Sequence, residues 1–189
     1  MKYDDALEEA RRCRRSCALF DFSFVYRVRV SGERVVDRVE AFQPRRVGDM
    51  AVGDIRYSIK TDAAGRVRSD LTLWRLDEHC FDIMSGCEAD VSELQSLSGE
   101  SFCVVDLSEE TAILSIQGPE TLNRLALLAD VSKLRDLAYF QFGRFEMAGI
   151  PVLVGRLGYS GEAGFEFVVE RAHKDRNAGH LETTELKIG

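Results

Sequence analysis

The sequence predicts an α+β protein built mainly on antiparallel sheet, with packed helices. Three observations carry that expectation. Short alternating apolar runs, such as Phe24, Tyr26, Val28 and Val30 set against Arg27 and Arg29, recur along the chain and read as half-buried strands. Runs with helical spacing are fewer and short. The two kinds are mixed without the regular strand–helix–strand rhythm of a parallel sheet. With 189 residues, 45% hydrophobic and 30% charged, the chain is an ordinary globular composition, long enough for one domain or two small interleaved ones.

The elements follow in order. Asp4 or Asp5 caps a first helix, whose early Glu8 and Glu9 and late Arg11, Arg12, Arg14 and Arg15 suit the two ends of the helix dipole. Ala6, Ala10, Cys13 and Cys17 form its narrow apolar stripe. After the strand through Tyr26, the residues Val35, Val36, Val39 and Phe42 return to helical spacing, and Pro44 ends that helix. Ile55, Tyr57 and Ile59 alternate, TDAAGRV turns and RSDLTLWRL runs back, a hairpin with a loop longer than two residues. CFDIMSG is a further strand, followed by a short helix near Val91, Leu94 and Leu97. TAILSIQGPETLNRLALL reads as strand, tight turn and helix, with Pro119 at or near the first helical position. AYFQFGRFEMAGIPVLVGR gives two strands turning at Ala148-Gly149, and RLGYSGEAGFEFVV runs into another. After Glu170 the apolar period is lost. Residues 1–170 are therefore expected as the folded domain and residues 171–189 as a polar, mobile tail.

Charge and composition exclude several classes. The formal charge is −7, which argues against broad nucleic-acid or anionic-membrane binding, although residues 1–50 carry 11 basic and 9 acidic side chains. No apolar run approaches the ~20 residues that span a bilayer, and MKYDDALEEA lacks the apolar core of a signal peptide, so the chain reads as cytoplasmic. Five cysteines without a Cys-x-x-Cys spacing and only three histidines give no metal site; the cysteines read as buried reduced thiols. His79 and Cys80, adjacent at a strand start, point to opposite faces and make a poor dyad.

Three stretches can carry chemistry. In RSDLTLWRL, Leu71 and Leu73 share one strand face and Asp70, Thr72 and Trp74 the other. That second face is either a polar surface turned to solvent or a carboxylate beside a large aromatic, suited to a flat heterocycle; a partly desolvated Asp70 would have a raised pKa and could shuttle protons. Gln117-Gly118-Pro119 is a strand-to-helix turn, structural in the simplest reading, with backbone donors that could meet an anion. In RLGYSGEAGFEFVV, Gly158, Gly161 and Gly164 are expected to supply positive φ. Glu166 lies inside the apolar run Phe165-Glu166-Phe167-Val168-Val169, where a carboxylate must face water, find donors or sit in a site.

GYSGEAGFEF resembles the Gly-Tyr-Thr-Gly-Glu-x-Gly-x-Glu signature of the glycine cleavage T-protein (aminomethyltransferase) family, and LSIQGPETLNRL resembles that family's Leu-Gln-Gly-Pro segment. GRVRSDLTLWRLDEHCFDIMSG is similar to its Gly-Gly-x-x-x-Asp-Leu segment, and closer still to the folate domains of dimethylglycine and sarcosine dehydrogenases; LFDFS fits its Asp-x-Ser strand. The four matches keep family order over residues 17–170. The resemblance implies a T-protein-type tetrahydrofolate-binding fold and transfer of a one-carbon (aminomethyl or methylene) unit to folate, with a lipoyl carrier protein or another one-carbon donor as partner. It places Asp70 at the family's catalytic aspartate and Tyr159 and Glu166 at its folate-contacting positions, where Glu166 would accept paired hydrogen bonds from the pterin 2-amino group and ring N–H. Ser69 departs from the family's usual Asp-Asp pair and Phe24 from its frequent histidine. The family's later arginine-bearing segment and C-terminal barrel have no counterpart here, which leads to the expectation of a truncated copy or short relative. Such a chain would work as a homo-oligomer or with a completing partner, with the surface beside Tyr159 and Phe165 partly covered. The alternative reading is a folate-binding module without turnover, regulatory or assembling in role.

Overall fold

The computed structural model describes residues 5–127, 130–147 and 149–174. In chain order its elements are α1 (Ala6–Arg15), β1 (Ala18–Asp21), β2 (Tyr26–Ser31), α2 (Val35–Phe42), β3 (Ile55–Thr61), β4 (Val67–Asp77), β5 (Cys80–Ser85), α3 (Glu88–Ser96), β6 (Cys103–Asp106), β7 (Thr111–Gln117), α4 (Thr121–Leu125), α5 (Ser132–Asp136), β8 (Phe142–Met147), β9 (Ile150–Gly155) and β10 (Gly164–Glu170). Two antiparallel five-stranded sheets with short helices make this an α+β fold. The chain separates into two compact units, one formed by the chain up to Ser23 and from Glu110 onward, the other by Phe24–Glu109. No described helix is long and apolar enough to cross a membrane.

The first unit is built on the sheet β1-β7-β10-β9-β8. Alternation sends Leu114 and Ile116 of β7, Val152 and Val154 of β9, and Phe165 and Phe167 of β10 to one face, where Leu125 of α4 and Leu134 of α5 join the same core. Helices of five residues do not persist alone. A fully buried aliphatic side chain contributes about 1.5–3 kcal/mol, so packing through Leu125 and Leu134 holds α4 and α5 in place. Asp5 caps α1 by accepting from the Leu7 and Glu8 amides, as its position predicts. Of the expected stripe, Cys13 on α1 and Cys17 just past its end are buried, while Ala6 and Ala10 are exposed. Pro119 lies just before the Glu120 cap of α4, two positions ahead of the first helical residue, Thr121. Arg171–His173 form a 3₁₀ turn, and Lys174 pairs with Asp21 at 2.6 Å, so the start of the expected tail is attached; residues 175–189 lie outside the described residues.

The second unit is the sheet β3-β4-β5-β2-β6. Val28, Val30, Leu71, Leu73, Phe81 and Ile83 meet Val35, Val39 and Phe42 of α2 and Val91 and Leu94 of α3 in one core. The β3–β4 hairpin turns through residues 62–66, where Asp62 accepts from the Ala64 and Arg66 amides. Two elements carried no clear sequence signal. The edge strand β6 is largely exposed and shows no alternation, and in the first unit α5 is too short to display a helical period.

Candidate functional site

Glu166 sits in the middle of β10, opposite Ser115 on β7 and Gly155 on β9. Its neighbours Phe165 and Phe167 enter the core, so Glu166 projects from the other face of the sheet, together with Ser115 and Gln117. Glu166 meets little solvent there: it is 7% exposed, and Oε1 has no hydrogen-bond partner among the described residues. Burial pushes its carboxyl up to about 7. An orphaned, buried carboxylate oxygen carries a free-energy penalty that folding does not require. It fits a ligand that brings its own donors.

The strand ends beside a loop that carries Tyr159. Residues 156–163 connect β9 to β10, and Tyr159 is 59% exposed, its ring edge-on to Phe22 at 6.4 Å between centroids. Phe165 is 2% exposed and packs in the core, so it contributes none of the accessible apolar surface expected beside Tyr159; the alternation of β10 sends it inward. The glycines of this loop, and Gly164 at the start of β10, also differ from expectation. Only Gly161 has positive φ, at 78°. Gly158 and Gly164 are required by space: a Cβ on either would enter the side chain of Gln117. Gln117, read from sequence as part of a turn, is thus a packed component of the site. Its amide nitrogen donates to Ser115 Oγ and to the Leu157 carbonyl, both at 3.0 Å, and its oxygen accepts from the Ser160 hydroxyl at 3.0 Å.

Asp70 belongs to the second unit, on β4 opposite Ile59. It is half-buried, and its hydrogen-bond partner is Tyr57 on β3. Desolvation first, then the charge of Asp70 and their hydrogen bond, push the Tyr57 hydroxyl pKa up. The rest of this strand face is not turned to solvent. Thr72 and Trp74 are buried, and the Trp74 indole N–H donates to Thr72 Oγ1 at 2.9 Å. Trp74 is therefore a packed core aromatic, and the aromatic group beside Asp70 is Tyr57. On the same face Asp82, fully buried, is held by Arg27 and Arg29, with contacts of 2.6–3.0 Å. These arginines alternate outward as expected but clamp a carboxylate rather than meeting water.

The structure places Tyr159 and Glu166 in one unit, on adjoining loop and strand, and Asp70 in the other. Cys13, Cys17 and Cys80 are buried free thiols, whereas Cys103 is exposed because β6 is an edge strand. Burial raises the Cys13 and Cys17 thiol pKa values, which makes them inert as nucleophiles.

The GCVT N-terminal domain model matches residues 2–184. The chain belongs to this family. Aminomethyltransferases of Symbiobacterium thermophilum and Thermotoga petrophila are each 30% identical to it, over 90% and 89% of the chain but 48% and 47% of their own length. The glycine cleavage system aminomethyltransferase T from Bartonella henselae superposes with a TM-score of 0.79 at 28% identity, over 93% of this chain and 48% of that one. A chain of the heterotetrameric sarcosine oxidase from Corynebacterium sp. U-96 shares the fold, with a TM-score of 0.67 at 19% identity over 97% of this chain and 93% of that one. The chain thus spans about half the length of the aminomethyltransferases it matches.

Proposed function

We propose that this GCVT-family chain binds tetrahydrofolate and serves a one-carbon, aminomethyl-type transfer to it. The observation that carries the reading is Glu166, a buried carboxylate with an orphaned oxygen. A pterin presents a 2-amino group and an adjacent ring N–H side by side, which a carboxylate accepts as a pair; such charge-assisted bidentate contacts select this ring over most heterocycles. Tyr159, exposed on the adjoining loop, supplies an aromatic face to cover it. Bound tetrahydrofolate supplies the nitrogens that accept the carbon. Asp70 takes or relays the proton released in the transfer, and Tyr57 fixes the orientation of its carboxylate. The donor is an aminomethyl group brought on a carrier protein, and we place the reaction in the cytoplasm, where thiols such as Cys13 and Cys17 stay reduced. We also read the protein as working with a second copy or a partner chain; Leu127, Tyr139 and Tyr159 leave large apolar side chains exposed in the first unit.

Equilibrium binding of tetrahydrofolate tests the reading. Glu166→Gln keeps the volume and turns one acceptor into a donor that faces a donor. It is expected to cost roughly 2–4 kcal/mol of binding. Unchanged affinity in this variant would remove Glu166 as the pterin-recognising group.

A further inference from the structure

The geometry points to Gln117 as a positioning residue: it latches the loop that bears Tyr159 and so sets where that ring meets a ligand held by Glu166. The inference rests on the folate reading for the ligand, and on hydrogen bonds within one unit for the latch. Gln117 is the last residue of β7, 1% exposed, with its backbone paired to Ala18 on one side and Gly164 on the other. A side chain so fixed has few rotamers left, and every polar position on it is engaged. Both amide hydrogens go to acceptors, Ser115 Oγ and the Leu157 carbonyl, and the oxygen accepts from Ser160. Leu157 needs a donor, so the orientation of the amide is set by the network. Tyr159 lies between the two loop residues Gln117 holds.

The loop is built around this contact. Gly158 and Gly164 leave room for the Gln117 side chain where any Cβ would collide with it. The Ser160 hydroxyl donates to Gln117 and accepts from the Glu162 amide at 3.1 Å, and Glu162 pairs with Arg14 of α1 at 2.8 Å. The Gly118 amide, next after Gln117, donates to the Ala163 carbonyl at 2.8 Å. The exposed segment is therefore fastened at both ends and at its middle. Pre-ordering Tyr159 in this way lowers the ordering cost that ligand binding would otherwise carry.

The test uses the full chain and three variants, Ser160→Ala, Ser160→Thr and Gln117→Glu, read by amide hydrogen exchange without ligand and by tetrahydrofolate binding. Loss of one net hydrogen bond should raise exchange of the 157–163 amides about five- to tenfold in Ser160→Ala, and weaken tetrahydrofolate by a similar factor. Exchange in β10 should stay unchanged, and Ser160→Thr, which restores the hydroxyl, should restore both readouts. Gln117→Glu should exceed Ser160→Ala in both. In a Tyr159→Ala background the Ser160→Ala change should cost no further affinity, because the ring it positions is gone. Loop exchange unaltered in Ser160→Ala, or a full affinity loss persisting in the Tyr159→Ala background, overturns the latch. The exchange arm needs no ligand, so it decides the latch even where the wild-type chain fails to bind tetrahydrofolate and the folate reading falls.

Discussion

At Glu166 stability and the proposed function are opposed. Its carboxyl is raised from an ordinary 4.5 to about 7 by burial, so the folded state binds this proton more tightly than the unfolded chain. The folded protein is then unpenalised below pH 4.5, loses stability as pH climbs from 4.5 to 7, and carries the whole penalty above that, roughly 3 kcal/mol. Glu166→Gln removes the ionisation. The variant should therefore be more stable than the wild type at pH 8, by up to roughly 3 kcal/mol, and equal to it at pH 4; urea denaturation at the two pH values checks this, and equal stability at both would mean that the carboxylate has a partner in the folded protein. Glu166 was legible in the sequence, because a charge inside Phe-Glu-Phe-Val-Val breaks an apolar pattern that has a physical cause. Gln117 was not legible as a site residue. A glutamine before Gly-Pro reads as a turn, and the Leu157 carbonyl it holds is 40 positions away.

Among the strands, the edge and the centre of each sheet carry different constraints. Asp82 on β5 is fully buried between Arg27 and Arg29 of the neighbouring β2, and these contacts satisfy both of its oxygens. Removing one partner of a buried charge cluster strands the rest. Asp82→Ala should destabilise the fold by about 3–5 kcal/mol, seen as a lowered urea midpoint; a change under about 1 kcal/mol would place the arginines in water instead. On β10, Gly164→Ala should cost about 1–3 kcal/mol, because the added Cβ meets both the Gln117 side chain and the Ile116 carbonyl. The β3–β4 hairpin, β5, and the β8–β9 pair could be read from alternation and turn residues alone. The Arg27–Asp82–Arg29 clamp could not, since its members lie 53 and 55 residues apart and an alternating arginine looks the same facing water or a buried carboxylate. The edge strand β6 escaped for the opposite reason: largely exposed, with only Val104 packed against the core, it needs no apolar alternation to pair with β2.

For the whole molecule, chemistry and recognition are assigned to residues in different compact units. We propose recognition by Glu166 and Tyr159, and proton handling by Asp70, whose hydrogen-bond partner is Tyr57. The two roles should separate in kinetics. With an aminomethyl-carrier donor supplied, Asp70→Asn should lower turnover by about 10²–10⁴ and leave the Kd for tetrahydrofolate within about twofold of the wild type. Equal turnover would leave Asp70 as a strand-face partner of Tyr57 and favour a module that binds folate without transferring carbon to it. The central claim is that a donor-bearing ring is held by the ionised form of Glu166, and calorimetry of tetrahydrofolate binding in buffers of differing ionisation enthalpy tests it most directly. At pH 6 the free carboxyl is mostly protonated, so binding should release close to one proton per ligand, falling to almost none at about pH 8.5, with the pH 6 release abolished in Glu166→Gln. Binding with no proton release at either pH, or no binding at all, would contradict the account.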